Sequence, residues 1–215
     1  LLTTARGRSE GFYRIETAQN WTVNDPALYD YHGISEFSSV INTRLTDLAR
    51  SLGVNAQKGA NSMVYNHGTP VINALFNVKY IIGNNKRVAQ DSHLDFVAES
   101  NGSTLYENKY PLSLGFMVKD SVYDYDVNGS SQRAVAQENL INLATGLDIT
   151  LFKEIDSPEV SASNMTATYY GNGRITCSAP TNSKQPSTVS LEYVSDKDQD
   201  IYFGVTATGI SSIVV

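Results

Sequence analysis

The sequence changes character near residue 151, and this change limits the fold more than any other feature. Before it, apolar residues recur at helical spacing in some stretches and alternate with polar residues in others. After it, short runs rich in Thr, Ser and Val are separated by turn-forming clusters, with the runs at residues 167–170, 174–178, 187–194 and 201–206. Strands at this spacing are typical of a β-sandwich. We therefore predict an α+β protein, with a mixed α/β N-terminal unit followed by a small β-sandwich-like C-terminal unit.

Helix and strand signals follow one another in the N-terminal unit. Helical spacing predicts a helix at residues 37–52, capped by Ser35, stopped by Gly53 and anchored by Phe37, Val40 and Ile41. Thr69-Pro70 marks another helix start. Further predictions are strands at 12–16, 78–82 and 114–118, a hairpin at Asn101-Gly102 between runs 94–98 and 104–107, and a helix at 134–144.

These signals divide the chain into three segments. Residues 1–125 are predicted to form the mixed α/β domain, and residues 126–150 a linker and a helix. Residues 151–215 are predicted to form the β-sandwich-like domain. This last segment is short for a complete sandwich, which indicates either a small one or one that continues past Val215.

Charge and hydropathy argue against nucleic-acid binding and against a membrane span within this chain. The net charge is −6, and the basic residues form no stripe of the kind that binds phosphate backbones, so no nucleic-acid binding is predicted. The most apolar stretch, at residues 71–82, is far shorter than the ~20 apolar residues that span a bilayer, so no membrane span is predicted within this chain. Charged residues make up 18% of the chain and tyrosines number 13, which indicates a neutral polar surface suited to sugars.

Catalytic and metal-binding patterns are not evident. His32, His67 and His93 stand alone, without partners at metal-ligand spacing, so no metal and no cofactor are predicted. The only cysteine, Cys177, is predicted to be a small buried residue in a strand. A free-standing hydrolase would rest only on the scattered loop acids Asp25, Asp30 and Glu36. No catalytic residue is therefore assigned.

Chemistry-bearing side chains are concentrated at residues 24–39, NDPALYDYHGISEFSS. Tyrosines offer flat faces to sugar rings, and loops joined to a rigid helix are where function concentrates. The candidate substrate-binding residues are Asn24, Tyr29, Tyr31, His32, Ser35 and Ser38. In the competing interpretation, Tyr29 and Tyr31 are buried clamps and Ser35 is only a helix cap.

The same residues carry a resemblance to a known family. FYRIE at 12–16 precedes Asn24-Asp25, then YHGISEFSS at 31–39, and later Gly68-Thr69-Pro70 and LFNVKYII at 75–82. This order resembles the extracytoplasmic region of YfhO-type bacterial membrane proteins. QENLIN at 137–142 and the β-rich tail are similar to the same family, so the resemblance covers most of the chain.

The resemblance implies a role for the parent protein more than for this segment. The family resembles GT-C glycosyltransferases, which take sugar from a lipid-phosphate carrier outside the membrane, and some members are implicated in glycosylating teichoic acids of the Gram-positive envelope. It implies an extracytoplasmic domain, accessory to sugar transfer, whose partners are the membrane-spanning part of the same polypeptide and a glycan or lipid-linked sugar. The alternative is a non-catalytic carbohydrate-binding surface module.

Overall fold

A computed structural model describes residues 1–56, 61–65, 68–84, 92–154, 158–170, 174–178, 185–195 and 197–202. In chain order, its elements are α1 (Leu2–Arg8), β1 (Arg14–Thr17), α2 (Asp25–Leu28), β2 (Glu36–Phe37), α3 (Thr43–Leu52), β3 (Asn55–Ala56), β4 (Ser62–Val64), α4 (Pro70–Leu75), β5 (Val78–Asn84), β6 (Leu94–Ser100), β7 (Ser103–Asn108), a 3₁₀ helix (Asp120–Asp124), α5 (Arg133–Thr145), β8 (Glu159–Ser163), β9 (Thr166–Tyr169), β10 (Ile175–Ser178) and β11 (Thr188–Glu192). His67, and the predicted strand at 201–206 from residue 203 onward, lie outside the described residues. The helices and small sheets confirm the predicted α+β class.

A four-stranded sheet of order β1-β5-β7-β6 forms the centre of the N-terminal unit. β1 runs parallel to β5, whereas β7 pairs antiparallel with both β5 and β6. The predicted hairpin is confirmed, since Asn101 and Gly102 both have positive φ, as a type I′ turn requires. β5 therefore has a partner strand on each side and is rich in β-branched residues, which suits it to the middle of the sheet.

Both faces of this sheet are buried. One cluster joins Ile15, Tyr80 and Leu105 of the sheet to Ala5 of α1. The other joins Val78 and Ile81 of β5 to helical residues, namely Ala49 and Leu52 of α3 and Ile72 of α4. α4 begins as predicted, because the Thr69 hydroxyl accepts a hydrogen bond from the Ile72 N–H and Pro70 occupies the first turn.

The predicted helix at 37–52 is wrong over its first six residues. α3 begins at Thr43, and the side chain of Asn42, not that of Ser35, caps it by accepting from the Arg44 N–H. Phe37 is instead paired with Ser62 in a short sheet of order β2-β4-β3. A short strand thus forms where the spacing predicted a helix. Val40, predicted as an anchor of that helix, is 90% exposed.

Two further predictions near α5 have opposite outcomes. The helix at 134–144 is confirmed as α5, which ends at Gly146 with φ 69°. The strand at 114–118 is wrong: this segment pairs with no strand and lies exposed. α5 is tied to the N-terminal unit by the buried Gln137, whose amide donates to the Leu52 carbonyl (2.6 Å) and accepts from the Thr69 hydroxyl (2.6 Å).

The contacts divide the chain into two compact units. The first comprises Leu1–Ile149 together with the chain from Asp200, and the second comprises Thr150–Gln199. In the second unit, β8 pairs with β11 and β9 pairs with β10, both antiparallel, and β8 is a strand that the sequence did not predict. The predicted division into 1–125, 126–150 and 151–215 remains a prediction. Within the described part of the chain, no helix combines the length and the apolar character needed to cross a bilayer.

Candidate functional site

The loop at residues 24–39 is built around the buried carboxyl group of Glu16 in β1. Glu16 is completely buried, and its Oε1 accepts hydrogen bonds from the N–H groups of Ile34 and Ser35. Its Oε2 accepts from the Ser35 hydroxyl at 3.2 Å. The β1 strand therefore holds the loop through a side chain, because these backbone N–H groups would otherwise be buried without partners.

Burial also changes the acidity of this group. Removal from water raises the pKa of Glu16 to about 7, although the hydrogen bonds from Ile34 and Ser35 oppose the shift. Both carboxyl oxygens are engaged and neither reaches the surface. The raised pKa is therefore the consequence of a structural position, and no substrate can reach this acid.

Asp25 organises the start of the same loop. It is 1% exposed, and its carboxylate accepts from the N–H groups of Trp21 (2.7 Å) and Thr22 (2.8 Å) and from the Thr22 hydroxyl. This side chain thus closes the turn that precedes α2. A buried carboxylate with these partners is a structural group and not the accessible acid that a hydrolase needs.

Gly33 allows the loop to lie close to α2 and β1. A Cβ at this position would lie 2.5 Å from Cγ of Pro26 and 3.1 Å from Oε1 of Glu16. The proline ring cannot move aside as a flexible side chain could. Only glycine therefore fits here, for close approach and not for an unusual φ.

Above this buried layer lies an exposed set that we call the loop surface, consisting of Trp21, Asn24, Tyr29 and Phe37. Trp21 is 89% exposed and Tyr29 is 47% exposed. Asn24 joins the two ends of the loop, because its side-chain oxygen accepts from the Phe37 N–H at 2.7 Å. Three aromatic rings and one amide are thus displayed on a backbone that buried side chains hold in place.

The six predicted site residues differ in how far they are exposed to solvent. Asn24 and Tyr29 lie on the loop surface, and His32 is exposed with its ring stacked on Phe12 at 4.8 Å. Ser38 is half-buried and accepts from the Val40 N–H at 3.4 Å.

Tyr31 and Ser35 lie deeper. Tyr31 is half-buried against the cluster of Ile15 and Tyr80, and burial raises its pKa above the ordinary value for a tyrosine. Ser35 is buried, where its hydroxyl also accepts from the N–H of Tyr65 at 3.0 Å. The structure therefore exposes Asn24 and Tyr29 and buries Ser35 against Glu16 and Tyr65.

Three residues of this region were not singled out as functional from the sequence, and Phe37 was named only as an anchor of the predicted helix. Glu16 could have been recognised as an acid within a mostly apolar strand that would need a buried partner. Trp21 could have been recognised as the only tryptophan of the chain, lying in a loop where a binding residue can be exposed. Phe37 carried no usable signal, because its spacing matched a helix that begins six residues later.

The remaining candidates fit structural roles. His93 is buried and its Nε2 lies 3.1 Å from the amide of Asn73, which in turn accepts from the Tyr65 hydroxyl. Among the described residues, no group of three or more His, Cys, Asp or Glu side chains could hold a metal ion. Cys177 lies in β10 as predicted but is exposed, so the prediction of a buried thiol is wrong.

Comparison with known proteins gives one match. The model of the family described as bacterial membrane protein YfhO matches residues 2–212. No curated protein and no solved structure matches the chain significantly. Because the family match covers nearly the whole chain and includes the loop surface and the layer beneath it, the chain belongs to the YfhO family of bacterial membrane proteins.

Proposed function

We propose that this chain is an extracytoplasmic accessory domain of a multi-pass, GT-C glycosyltransferase-like membrane protein. Its role is to contact the glycan during transfer of sugar from a lipid-phosphate carrier to a cell-envelope polymer such as the teichoic acid of Gram-positive bacteria. The observation that carries the proposal is the loop surface itself, in which Trp21, Tyr29 and Phe37 are exposed and the amide of Asn24 is hydrogen-bonded to the Phe37 N–H.

This combination suits a sugar. Aromatic faces stack on the apolar face of a pyranose ring, and an amide supplies hydrogen bonds to hydroxyl groups. The rings need little ordering on binding because the backbone below them is held by Glu16 and Asp25. The low charged fraction of 18% supports contact with the neutral sugar ring more than with the phosphate groups of the carrier or the polymer.

The proposed role is accessory because the two buried acids of this region are used for folding. Glu16 and Asp25 are both buried with their oxygens engaged. Asp30 is exposed beside the guanidinium of Arg6, at 3.4 Å. Catalysis is accordingly assigned to the membrane-embedded part of the parent polypeptide, which is the partner of this domain.

The decisive experiment changes the loop surface in the full-length protein. Trp21→Ala and Tyr29→Ala should each lower sugar incorporation into the envelope polymer severalfold, while the melting temperature of the 215-residue chain stays nearly unchanged. Tyr170→Ala is the matched control, since Tyr170 is also an exposed tyrosine but belongs to the second unit. Full activity of both loop variants, or an equal loss with Tyr170→Ala, would contradict the proposal.

A second function, glycan binding by the isolated chain, is favoured by the exposure of the Trp21 ring, which leaves its face free to stack on a sugar. Trp21 is the only tryptophan and is almost fully exposed, so its fluorescence reports directly on this surface. Titration with teichoic acid fragments should shift its emission, and Asn24→Ala should weaken the response. An unchanged spectrum at millimolar fragment would restrict the role to the full-length protein.

A further inference from the structure

A second apolar surface lies far along the chain from the loop surface. Residues 109–119 connect β7 to the 3₁₀ helix, and residues 112–120 are all exposed. Met117 is 98% exposed. The exposed apolar side chains of this segment are Tyr110, Leu112, Leu114, Phe116, Met117 and Val118.

The backbone of this segment is anchored at both ends. The Leu112 N–H donates to the carbonyl of Ala74 at the end of α4 (3.2 Å). The Lys119 N–H donates to the carbonyl of Ala144 near the end of α5 (2.8 Å). Within it, the Ser113 hydroxyl donates to the Gly115 carbonyl at 2.6 Å. The apolar side chains are thus held outward by a fixed backbone.

More apolar surface continues at the end of α5. Leu147 and Ile149 are both exposed. Asn142 holds this stretch, because its side chain donates to the Ile149 carbonyl (2.9 Å) and accepts from the Ile149 N–H (3.1 Å). Lys119 is hydrogen-bonded to the same end of α5, so the two apolar stretches adjoin.

Charge does not explain this surface. Residues 110–118 contain no charged side chain. Lys109 is paired with Asp95 at 3.1 Å, and Asp120 directly follows Lys119. The surroundings therefore form no positive patch, and a partner must be attracted by the apolar side chains alone.

We propose that residues 110–118, together with Leu147 and Ile149, insert into the interface of a lipid bilayer. A protein partner would be held by about one hydrogen bond per 100–200 Å² of interface, and the side chains at 114–118 offer no hydrogen-bonding groups. The segment has a tyrosine at one end and Leu, Phe, Met and Val side chains within it, which is the composition that binds bilayer interfaces. The chain belongs to a membrane-protein family, which places a bilayer next to the polypeptide. This membrane contact is independent of the proposed sugar contact and uses different residues.

Tryptophan depth measurement tests the insertion directly. In the Trp21→Phe chain, Phe116→Trp creates a single reporter within the segment, and Phe96→Trp creates a matched reporter at an exposed phenylalanine on β6. Each chain is mixed with phosphatidylcholine vesicles whose acyl chains carry bromine. The F116W chain should be quenched and blue-shifted at low and high salt, and the F96W chain should not.

Removing one apolar side chain should weaken this binding. Met117→Ser in the F116W chain should lower partitioning by about tenfold or more, because a buried methionine side chain contributes at least that factor. If Phe116→Trp disturbs folding, Leu114→Trp provides a second reporter in the same segment.

Several outcomes would overturn the proposal. Absence of quenching in both the F116W and L114W chains excludes insertion. Equal quenching of the F96W chain indicates non-specific adsorption, and loss of quenching at high salt indicates electrostatic binding. Self-association that Met117→Ser abolishes would assign the surface to a second copy of the chain.

Discussion

Both units contain strands, but among the described residues only the first unit has strand side chains that are completely buried. Val78, Tyr80 and Ile81 of β5 are 0% exposed, whereas none of the described residues of β8–β11 is buried. β5 has a partner on each side and apolar clusters on both faces, while each ladder of the second unit has two strands. The comparison shows that alternation predicts a strand, while burial requires additional strands and layers.

The largest expected difference is between matched isoleucines in the two units. Ile81→Ala should lower the free energy of unfolding of the first unit by about 3–4 kcal/mol, because it leaves a cavity among fully packed neighbours. Ile175→Ala, at the one half-buried position of the otherwise exposed β10, should cost less than about 1 kcal/mol. Urea denaturation with hydrogen exchange resolved on β5 and β10 measures both, and similar losses would remove the contrast between the units.

A pH dependence should be specific to the first unit. Because the folded-state pKa of Glu16 is raised from 4.5 to about 7, its contribution to stability is complete below about pH 4.5 and is lost as the pH rises through 7. The shift corresponds to about 3 kcal/mol.

Glu16→Gln should flatten this dependence. Its amide resembles the protonated acid: the oxygen accepts from the N–H groups of Ile34 and Ser35, and the NH₂ group faces the Ser35 hydroxyl, which then accepts where it donated to the carboxylate. Glu192→Gln, at an exposed position of β11, is the control and should retain the pH dependence. Chemical denaturation from pH 4 to 8 distinguishes them, and a Glu16→Gln chain that still loses stability toward pH 8 would show that another group is responsible.

A smaller effect is expected at the start of α3. Asn42→Ala removes the side-chain oxygen that accepts from the Arg44 N–H, so the unfolding free energy should fall by about 1 kcal/mol. Ser39→Ala, at an exposed position just before the helix, is a control for which little change is expected. Equal melting temperatures for the two variants would mean that Asn42 contributes no capping energy.

The smallest effect is expected at the cysteine of the second unit. Cys177 is exposed, so Cys177→Ser should change stability by less than about 0.5 kcal/mol. The unaltered thiol should also react with a thiol reagent in the folded chain at nearly the rate of the unfolded chain. A thiol that reacts only after denaturation would show that β10 is covered and would weaken the contrast between the units.

Some local structure was accessible from the sequence because its determinants are local. The Asn101-Gly102 turn, the Thr69-Pro70 helix start and the Gly146 helix end each depend on the backbone preferences of one or two residues. The helix start at Thr43 was missed because Phe37 pairs with Ser62, and pairing between distant residues leaves no mark on local spacing.

The candidate site likewise combines features set by local sequence with features set by distant residues. The sequence located it at residues 24–39 and named Asn24 and Tyr29, because turn formers and tyrosines concentrate there. It could not predict that Ser35 is buried, since this depends on the contact between Ser35 and Glu16 of β1. Exposure of the rings on the loop surface likewise depends on which side of the loop the sheet covers.

By itself, the sequence determined the α+β class, the four strands of the central sheet, several helix ends, and the membership of a membrane-protein family. Tertiary structure decided which side chains are buried and which are displayed. It placed the carboxyl group of Glu16 under the loop and left residues 114–118 outside the sheet, although their composition had predicted a strand there. The reason is physical: local preferences depend on neighbouring residues, while burial depends on distant elements that pack against one another.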